Sequence, residues 1–421
     1  MKQHILFVDD EPNLLDGLRR MLRPMRQDWE MHFAESGPDA LQIIDRQPCD
    51  VVVSDMRMPG MDGSQLLHKV RQYSPETIRF ILSGHSDQGM ILRSVGPTHQ
   101  FLAKPCGAAE LKGTLARACR LRHLLPDHQL LRLVTSIERL PSVPYLYDQV
   151  TGAIREPLAD LETIAELIAC DIGMTAKILQ IVHSAFFGLQ RQLSSPIQAV
   201  EFLGFETLQA IVIKAQVFMA AEDRAPYDKA LQALWAHSLA IAACAREIMA
   251  AEGGDTAGLD ATFSAGLLHD VGTLVLISHL PALYDRSREL IGVQSLSVCS
   301  AERDVIGVTH AEIGAYLMGL WGLSDVIIDA LAYHHQPLAC PTQTWSPLAA
   351  VHVAETLVHE LLPDLMVESA PVLDRDYLET LGLWDRLPAW REHCQHALQQ
   401  HLSAPVSRQL FQIQHEVAVH A

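Results

Sequence analysis

The sequence predicts two domains of different class: an α/β domain with a doubly wound, five-stranded parallel sheet, followed by an all-α domain. Over residues 1–123 short apolar runs alternate with segments of helical periodicity, the pattern of a parallel sheet covered on both faces. Beyond about residue 129, apolar residues recur every three or four positions and strand-like alternation is nearly absent. The length of 421 residues agrees with more than one domain.

Composition and charge exclude several classes of function. Acidic residues number 50 and basic residues 32, so the net charge is −18. This surplus of negative charge opposes binding to nucleic-acid phosphates and anionic lipid, so we expect neither a DNA-binding nor a membrane protein. The eight cysteines form no CxxC pair, which indicates free thiols in a cytoplasmic protein. We also expect no signal peptide and no membrane span, because the apolar runs are short or interrupted.

The elements of the α/β domain can be predicted in order along the chain. Its strands are expected at Ile5–Val8, Met31–Ala34, Val51–Ser54, Phe80–Leu82 and His99–Leu102. The helices between them are expected at Asn13–Met25, Pro38–Arg46, Gly63–Tyr73 and Asp87–Val95. Ligand sites of parallel sheets lie at the carboxyl ends of the strands. The polar residues at those ends are therefore the candidates for function.

These strand ends carry carboxylates, a hydroxyl and an ammonium group. They belong to Asp9, Asp10, Asp55, Ser83 and Lys104. Clustered carboxylates repel one another and need a cation, and hard oxygen ligands suit Mg²⁺. A carboxylate beside Mg²⁺ and an ammonium can receive a phosphoryl group, because both cations stabilise charge on the transferring oxygens.

Four segments of this domain resemble the signatures of the response-regulator receiver family. They are Val8–Glu11, Ser54–Gly63, Leu82–Gly84 and Leu102–Pro105. The resemblance implies that Asp55 is the phospho-acceptor and that a cognate sensor histidine kinase is a partner. It also implies that Mg²⁺ is held by Asp9, Asp10, Asp55 and the backbone carbonyl of Arg57.

The resemblance further implies a switch formed by Ser83, Phe101 and Lys104. In this family a hydroxyl moves to the phosphoryl group and an aromatic ring turns inward. Phe101 lacks the hydroxyl of the commoner Tyr, so we expect it to report phosphorylation through burial only.

The segment after the sheet is predicted to be helical. Helical periodicity covers Glu110–Leu125 and Gln129–Leu140, and Pro126 should end or kink the first of these helices. We expect phosphorylation to act through residues 107–140. The predicted divisions are a receiver domain at 1–123, a helical connector at 124–140, a second domain at 141–360 and a C-terminal helical extension at 361–421.

Histidines carry the candidate chemistry of the second domain, in a chain with 21 of them. The candidate metal ligands are His237, His269, Asp270, His310, His334, His335 and Glu355. Imidazole nitrogens combined with carboxylate oxygens suit a divalent transition metal such as Fe, Mn or Zn. An isolated histidine on a helix is more often a satisfied structural residue. That is our interpretation of His279, His352, His359, His396 and His401.

The strings Gly266–Gly272 and Ala332–His335 resemble the HD superfamily of metal-dependent phosphohydrolases. Four further segments narrow the resemblance to the HDOD domain, an HD-related output domain of bacterial signalling. They are Ile137–Pro144, Ile168–Leu179, Ser184–Gly188 and Ser195–Phe205. The resemblance covers about residues 130 to 360 and implies an HD-type helical bundle with metal at the candidate ligands.

Several residues depart from the family pattern. Glu355 replaces the last Asp, and His183 stands where the family usually has Asn. The Gly-Tyr-Pro signature of relatives that cleave cyclic di-GMP does not follow His335. Ala233, one turn before His237, removes a carboxylate that some of those relatives use.

The two family resemblances leave two functions open. In the first, which we favour, phosphorylation of Asp55 changes how the HDOD domain meets an unknown downstream signalling protein, without turnover. In the second, the receiver controls a metal-dependent phosphodiesterase or phosphohydrolase, with a cyclic dinucleotide as the candidate substrate. Either function is compatible with a homodimer. A DNA-binding regulator is disfavoured by the charge and by the lack of a recognisable helix-turn-helix.

Overall fold

The computed structural model describes most of the chain. The described residues are 2–83, 97–156, 160–183, 193–214, 216–220, 228–294, 296–363 and 371–403. The helix predicted at Asp87–Val95 and the segment Ser184–Gly188 lie outside them. Parts of the predicted extension at 361–421 also lie outside them.

The predicted α/β domain is present, with a five-stranded parallel sheet in the order β2–β1–β3–β4–β5. Its strands are β1 (Gln3–Val8), β2 (Trp29–Ala34), β3 (Val51–Asp55), β4 (Ile78–Ser83) and β5 (Gln100–Ala103). The described helices around it are α1 (Pro12–Met21), α2 (Gly37–Arg46), α3 (Gly63–Tyr73) and α4 (Ala108–Leu121). The apolar residues of β1 and β3 are buried, as expected for a sheet with both faces covered.

Prolines account for the differences in helix length. Helix α1 ends at Met21 and is followed by a 3₁₀ turn over Arg23–Gln27, because Pro24 lacks the backbone N–H that an α-helix requires. Helix α4 likewise ends at Leu121 and continues as a 3₁₀ turn ahead of Pro126. The next predicted helix is shorter at its C-terminal end, where it ends at Ser136.

The rest of the described chain is predominantly helical, as predicted. Its helices are α5 (His128–Ser136), α6 (Pro144–Ala153), α7 (Leu161–Ala169), α8 (Ile172–Val182), α9 (Pro196–Gln209), α10 (Asp228–Ala251), α11 (Thr256–Leu268), α12 (Val271–His279), α13 (Pro281–Gln294), α14 (Val298–Ile306), α15 (His310–Leu320), α16 (Asp325–Tyr333), α17 (Pro347–Leu361), α18 (Arg375–Thr380) and α19 (Leu387–Ser403). One parallel pair of two-residue strands, Pro141–Ser142 with Met219–Ala220, was not anticipated. These strands are too short to produce an alternating pattern in the sequence.

Two helical stretches are long and apolar enough to cross a membrane, judged by length and composition alone. They are Pro196–Ile213 and Thr256–His279. In the second, 89% of the most apolar window is buried inside the structure, compared with 39% in the first. Thr256–His279 comprises α11 and α12, and its burial is that of the central helices of a folded domain.

Helices α12 and α15 approach each other most closely at two glycines. A Cβ atom on Gly272 would overlap the backbone carbonyl of His310, and it would also crowd the backbone nitrogen of Gly314. Because the obstructing atoms belong to the backbone, no side-chain rotation can relieve the overlap. Glycine at 272 therefore allows the start of α12, which directly follows His269 and Asp270, to contact the backbone at His310.

Substitution of Gly272 by alanine should push these helices apart. We expect Gly272→Ala to reduce the free energy of unfolding by about 1–3 kcal/mol, the usual cost of overpacking, and to lower the thermal unfolding temperature. The control is Gly292→Ala, at an exposed position of α13 with open space around it. That variant should be neutral or slightly stabilising, because alanine favours a helix. Equal unfolding temperatures for both variants would contradict the close approach.

Candidate functional site

The first candidate site lies at the carboxyl edge of the five-stranded sheet. Lys104 Nζ lies 2.7 Å from Asp9 Oδ2 and also forms an ion pair with Asp55 Oδ1. The other carboxylate oxygens accept backbone hydrogen bonds, Asp9 Oδ1 from Glu11 at 3.0 Å and Asp55 Oδ2 from Arg57 at 2.9 Å. Of the predicted strand-end residues, Asp9, Asp55 and Lys104 are therefore in direct contact.

The electrostatics of this edge favour an additional cation. Burial raises the pKa of Asp55, and the hydrogen bond and charge of Lys104 oppose that rise. Burial alone would lower the pKa of Lys104, but Asp55 and Asp9 raise it. One ammonium therefore serves two buried carboxylates, and Asp10, next in the chain, is exposed. This donor set fits Mg²⁺.

The backbone holds Asp55 at the end of its strand. The residue after it, Met56, donates its N–H to the carbonyl of Leu82 on the neighbouring strand at 3.1 Å. A Cβ atom on Gly63, the first residue of α3, would overlap the carbonyl oxygen of Asp55. Glycine is therefore required at position 63, where the loop after β3 ends and the chain passes close to Asp55 again.

The predicted switch residues lie on β4 and β5. Ser83 ends β4, and Phe101 pairs with Ile81 in the sheet; both Ser83 and Phe101 are buried. The neighbour of Phe101 reaches into the helical domain: Gln100 Nε2 donates to the carbonyls of Gly319 at 3.1 Å and Leu320 at 3.0 Å.

The C-terminal end of α15 thus docks on the α/β domain, and other contacts surround the same place. Arg117 of α4 donates to the carbonyl of Leu323 at 3.1 Å and pairs with Asp325 at 3.2 Å. A Cβ atom on Gly319 would overlap the side chain of Leu121. Sequence analysis missed Gln100 and Arg117, because each appears there as an ordinary polar residue on a strand or helix surface.

Buried polar side chains line the rest of this interface. Thr135 of α5 shares a hydrogen bond of 2.7 Å with the hydroxyl of Tyr316 of α15, and its carbonyl accepts from Arg79 at 3.3 Å. Burial lowers the pKa of Arg79 to about 10. Lys177 of α8 donates to the carbonyl of Glu138 at 2.7 Å, and burial lowers the pKa of Lys177 to about 7. Such buried basic groups fix the relative placement of the elements that supply their hydrogen-bond partners.

The second candidate site lies in the helical domain and is centred on Asp270. Asp270 Oδ1 lies 3.2 Å from Nε2 of His310 and 3.8 Å from Nε2 of His334. Asp270 Oδ2 lies 3.4 Å from Nε2 of His269 and 3.9 Å from Nε2 of His237. The carboxylate therefore lies between two pairs of imidazoles contributed by different helices.

The remaining predicted ligands lie beside this cluster. His335 Nε2 is 3.0 Å from His310 Nε2, and His335 Nδ1 is 3.5 Å from Glu355 Oε1. The ligand atoms of His237, His269 and Asp270 all lie within 4.8 Å of one another. Those of His310, His334 and His335 form a second such group. The sequence-predicted ligands thus come together as two groups with a shared carboxylate.

Backbone hydrogen bonds hold two of these rings in one tautomer. Nδ1 of His269 faces the carbonyl of Gly266 at 2.7 Å, and Nδ1 of His334 faces the carbonyl of Leu331 at 2.8 Å. A carbonyl can only accept, so each Nδ1 carries the hydrogen. The Nε2 atom of each ring therefore faces the cluster, and the neutral ring of His334 directs a lone pair there.

The facing ring nitrogens create a need for a cation. His310 Nε2 lies 3.4 Å from His334 Nε2. His269 Nε2 and Glu355 Oε2 are buried and have no hydrogen-bond partner among the described residues. Facing imidazole nitrogens at this distance repel one another when neither carries a hydrogen, and a metal ion between them would remove the repulsion. The donor set therefore fits a divalent transition metal.

The titration behaviour of the cluster agrees with this fit. Burial, together with neighbouring imidazoles, lowers the pKa of His334 and His335 well below the usual value, so both rings are neutral. Burial raises the pKa of Glu355 to about 8. Burial alone would lower the pKa of His269, but the charge of Asp270 raises it to about 9. The negative charge of Asp270 thus attracts a proton to His269, and a bound metal ion would neutralise the same charge.

Two histidines outside the cluster are held by backbone hydrogen bonds, and one of them, His352, was expected to be structural. His352 Nδ1 donates to the carbonyl of His334 at 2.7 Å, and its Nε2 accepts from the backbone of Asp374 at 2.9 Å. His183, which replaces the usual Asn, bonds through Nε2 to the carbonyl of Leu193 at 2.6 Å.

Comparison with known proteins identifies both domains. Residues 5–116 match the model of the response regulator receiver domain, and residues 140–337 match that of the HDOD domain. An uncharacterized protein of Treponema pallidum is 23% identical over 347 residues, a match covering 79% of this chain and 66% of that protein. The hydrogenase transcriptional regulatory protein HoxA of Cupriavidus necator is 31% identical over 176 residues, covering 39% of this chain and 36% of HoxA.

The chain thus spans no more than about two thirds of either relative's length. Among solved structures, the MmoQ response regulator of Methylococcus capsulatus is 22% identical with a TM-score of 0.45. That match covers 60% of this chain and 97% of the MmoQ chain. On the two family matches, together with the strand-end carboxylates and the helical bundle, the chain belongs to the response regulators that join an N-terminal receiver domain to an HDOD output domain.

Proposed function

We propose that this response regulator is phosphorylated on Asp55 and transmits that event to its HDOD domain through helix α15. The contact between Gln100 of β5 and the last carbonyls of α15 carries the proposal, because α15 begins at His310 in the histidine cluster. A receiver domain implies a phosphodonor such as a histidine kinase. We assign that role to a cognate sensor kinase in the cytoplasm, and the output to an unknown downstream signalling protein.

The geometry around Asp55 supports phosphoryl transfer. An oxygen of Asp55 attacks the phosphorus of a phosphohistidine, and the P–N bond breaks with its electron pair going to the departing imidazole. Lys104 already contacts Asp55 Oδ1 and can follow the new phosphoryl oxygens. Mg²⁺, held by Asp9, Asp10, Asp55 and the carbonyl of Arg57, would stabilise the charge on those oxygens.

A short path connects this chemistry to the second domain. Lys104 follows β5 directly, and Gln100 is the first residue of the same strand. Movement of Lys104 toward a phosphoryl group, or of Phe101 within the sheet, therefore acts on the strand that holds α15. The segment 107–140 provides a second route, since it contains Arg117, which binds the carbonyl of Leu323 just beyond α15 and pairs with Asp325 at the start of α16.

A metal-dependent phosphodiesterase or phosphohydrolase is the second candidate function. The convergence of four imidazole Nε2 atoms on Asp270 favours it, because centres of this kind bind metal ions that activate water for hydrolysis. Glu355 and the missing Gly-Tyr-Pro signature are compatible with a metal centre that binds without turnover. Metal content and catalytic turnover must therefore be measured separately.

Replacement of Asp55 by asparagine should abolish phosphorylation, because the amide is not a nucleophile toward phosphorus. With acetyl phosphate and Mg²⁺, the wild-type chain should become labelled and Asp55→Asn should not, as measured by mobility on a phosphate-affinity gel. Asp16→Asn serves as the matched control, since Asp16 is an exposed aspartate paired only with Arg19 in the described contacts. Persistent labelling of Asp55→Asn would refute the assignment.

Protein purified without chelators should contain a transition metal, measured by elemental analysis. The double variant His269→Ala with Asp270→Ala should lose the metal, because it removes one imidazole ligand and the carboxylate at the middle of the cluster. His396→Ala, at an exposed histidine paired with Gln400, should retain it. Wild-type protein holding less than about a tenth of an equivalent, with no gain on titration, would contradict the metal centre. Hydrolysis of a cyclic dinucleotide by the metal-loaded chain would decide for the second function.

A further inference from the structure

A buried glutamate lies behind the histidine cluster and was not suggested by the sequence. Glu302 lies on α14 and is only 2% exposed. Its Oε2 accepts two hydrogen bonds from one residue, the backbone N–H of His310 at 2.8 Å and the ring Nδ1 of His310 at 2.8 Å. Glutamate is rarely buried to this extent unless it is paired.

His310 needs this external partner because of its position in its helix. His269 and His334 each donate Nδ1–H to the carbonyl three residues earlier, within the turn that precedes them. His310 is the first residue of α15, and the residue three positions before it, Gly307, ends the preceding helix in a left-handed conformation with φ 89°. The turn before His310 is thus not helical, and Glu302 supplies the acceptor instead.

The two hydrogen bonds have distinct effects. The bond to Nδ1 holds a hydrogen there, so Nε2, which lies 3.2 Å from Asp270 Oδ1, is the ring atom that would bind a metal ion. The bond to the backbone N–H fixes the start of α15, where the helix dipole favours a negative charge. A carboxylate acceptor also makes the imidazole a stronger ligand than a carbonyl acceptor does.

We propose that Glu302 is a positioning residue of the metal centre: it fixes the tautomer and direction of His310 for a bound divalent transition metal. This inference rests on the proposed metal centre. The side-chain hydrogen bonds of Glu302 go to His310 alone among the described residues.

The test uses the full chain, with Zn²⁺ as the probe and affinity measured by competition with a chromophoric chelator. We expect Glu302→Gln to bind Zn²⁺ about 10–100-fold more weakly, the usual cost of losing such a partner. Glu312→Gln is the matched control: Glu312 lies near the start of α15 too, but its recorded bonds go to Thr309 and Arg303. That variant should bind as the wild type does.

A double-mutant cycle separates positioning from a general structural effect. In a His310→Ala background, Glu302→Gln should weaken Zn²⁺ binding far less, because the ring that it positions is gone and only its hydrogen bond to the backbone N–H of residue 310 remains. Nitrogen NMR of the His310 ring gives a second readout, since Glu302→Gln should shift the Nδ1 signal in the metal-free protein.

The outcomes distinguish this inference from the proposal on which it depends. If the wild-type chain binds no Zn²⁺, the metal centre and the role of Glu302 both fail. If the wild type binds but Glu302→Gln binds equally well, only the role of Glu302 is overturned. An equal loss with and without His310 would also overturn it, since it would show a structural effect elsewhere.

Discussion

Helix α15 joins the histidine cluster to the receiver domain, and this connection constrains the rest of the molecule. Its first residue, His310, contributes a ring to the histidine cluster, and its last carbonyls accept hydrogen bonds from Gln100 of the receiver sheet. The helix has 11 residues and is therefore about 16 Å long, a rigid rod at a rise of about 1.5 Å per residue. A displacement at one end cannot be absorbed within the helix and must reach the other.

The packing around α15 leaves it little freedom to move alone. Gly272 allows α12 to touch the backbone at His310, and Tyr316 hydrogen-bonds across the interface to Thr135. The buried cations Arg79 and Lys177 obtain their partners from the elements that meet there. Such polar groups are costly when unsatisfied, so the interface has few alternative arrangements. A switch in the receiver would then act between discrete packings of α15 rather than along a continuous path.

The strand-end residues and the histidine ligands could be predicted because each of them lies within a short contiguous sequence motif. Asp55 lies in such a string at the end of an apolar strand, and His269 with Asp270 lies in another. Gln100 and Glu302 could not be found this way, because their roles depend on residues 219 and 8 positions away, respectively, that only the folded chain brings together. Helix ends were predictable only approximately, since periodicity continues past the point where Pro24 interrupts the hydrogen bonds.

Hydrogen exchange of the full chain, with and without beryllofluoride and Mg²⁺, tests the transmission from Asp55 to α15 most directly. Beryllofluoride stands in for the phosphoryl group on the acceptor aspartate. The account predicts changed amide protection in α15 and in α4, with no change in Asp55→Asn. Identical protection of α15 in both states of the wild-type chain would contradict it.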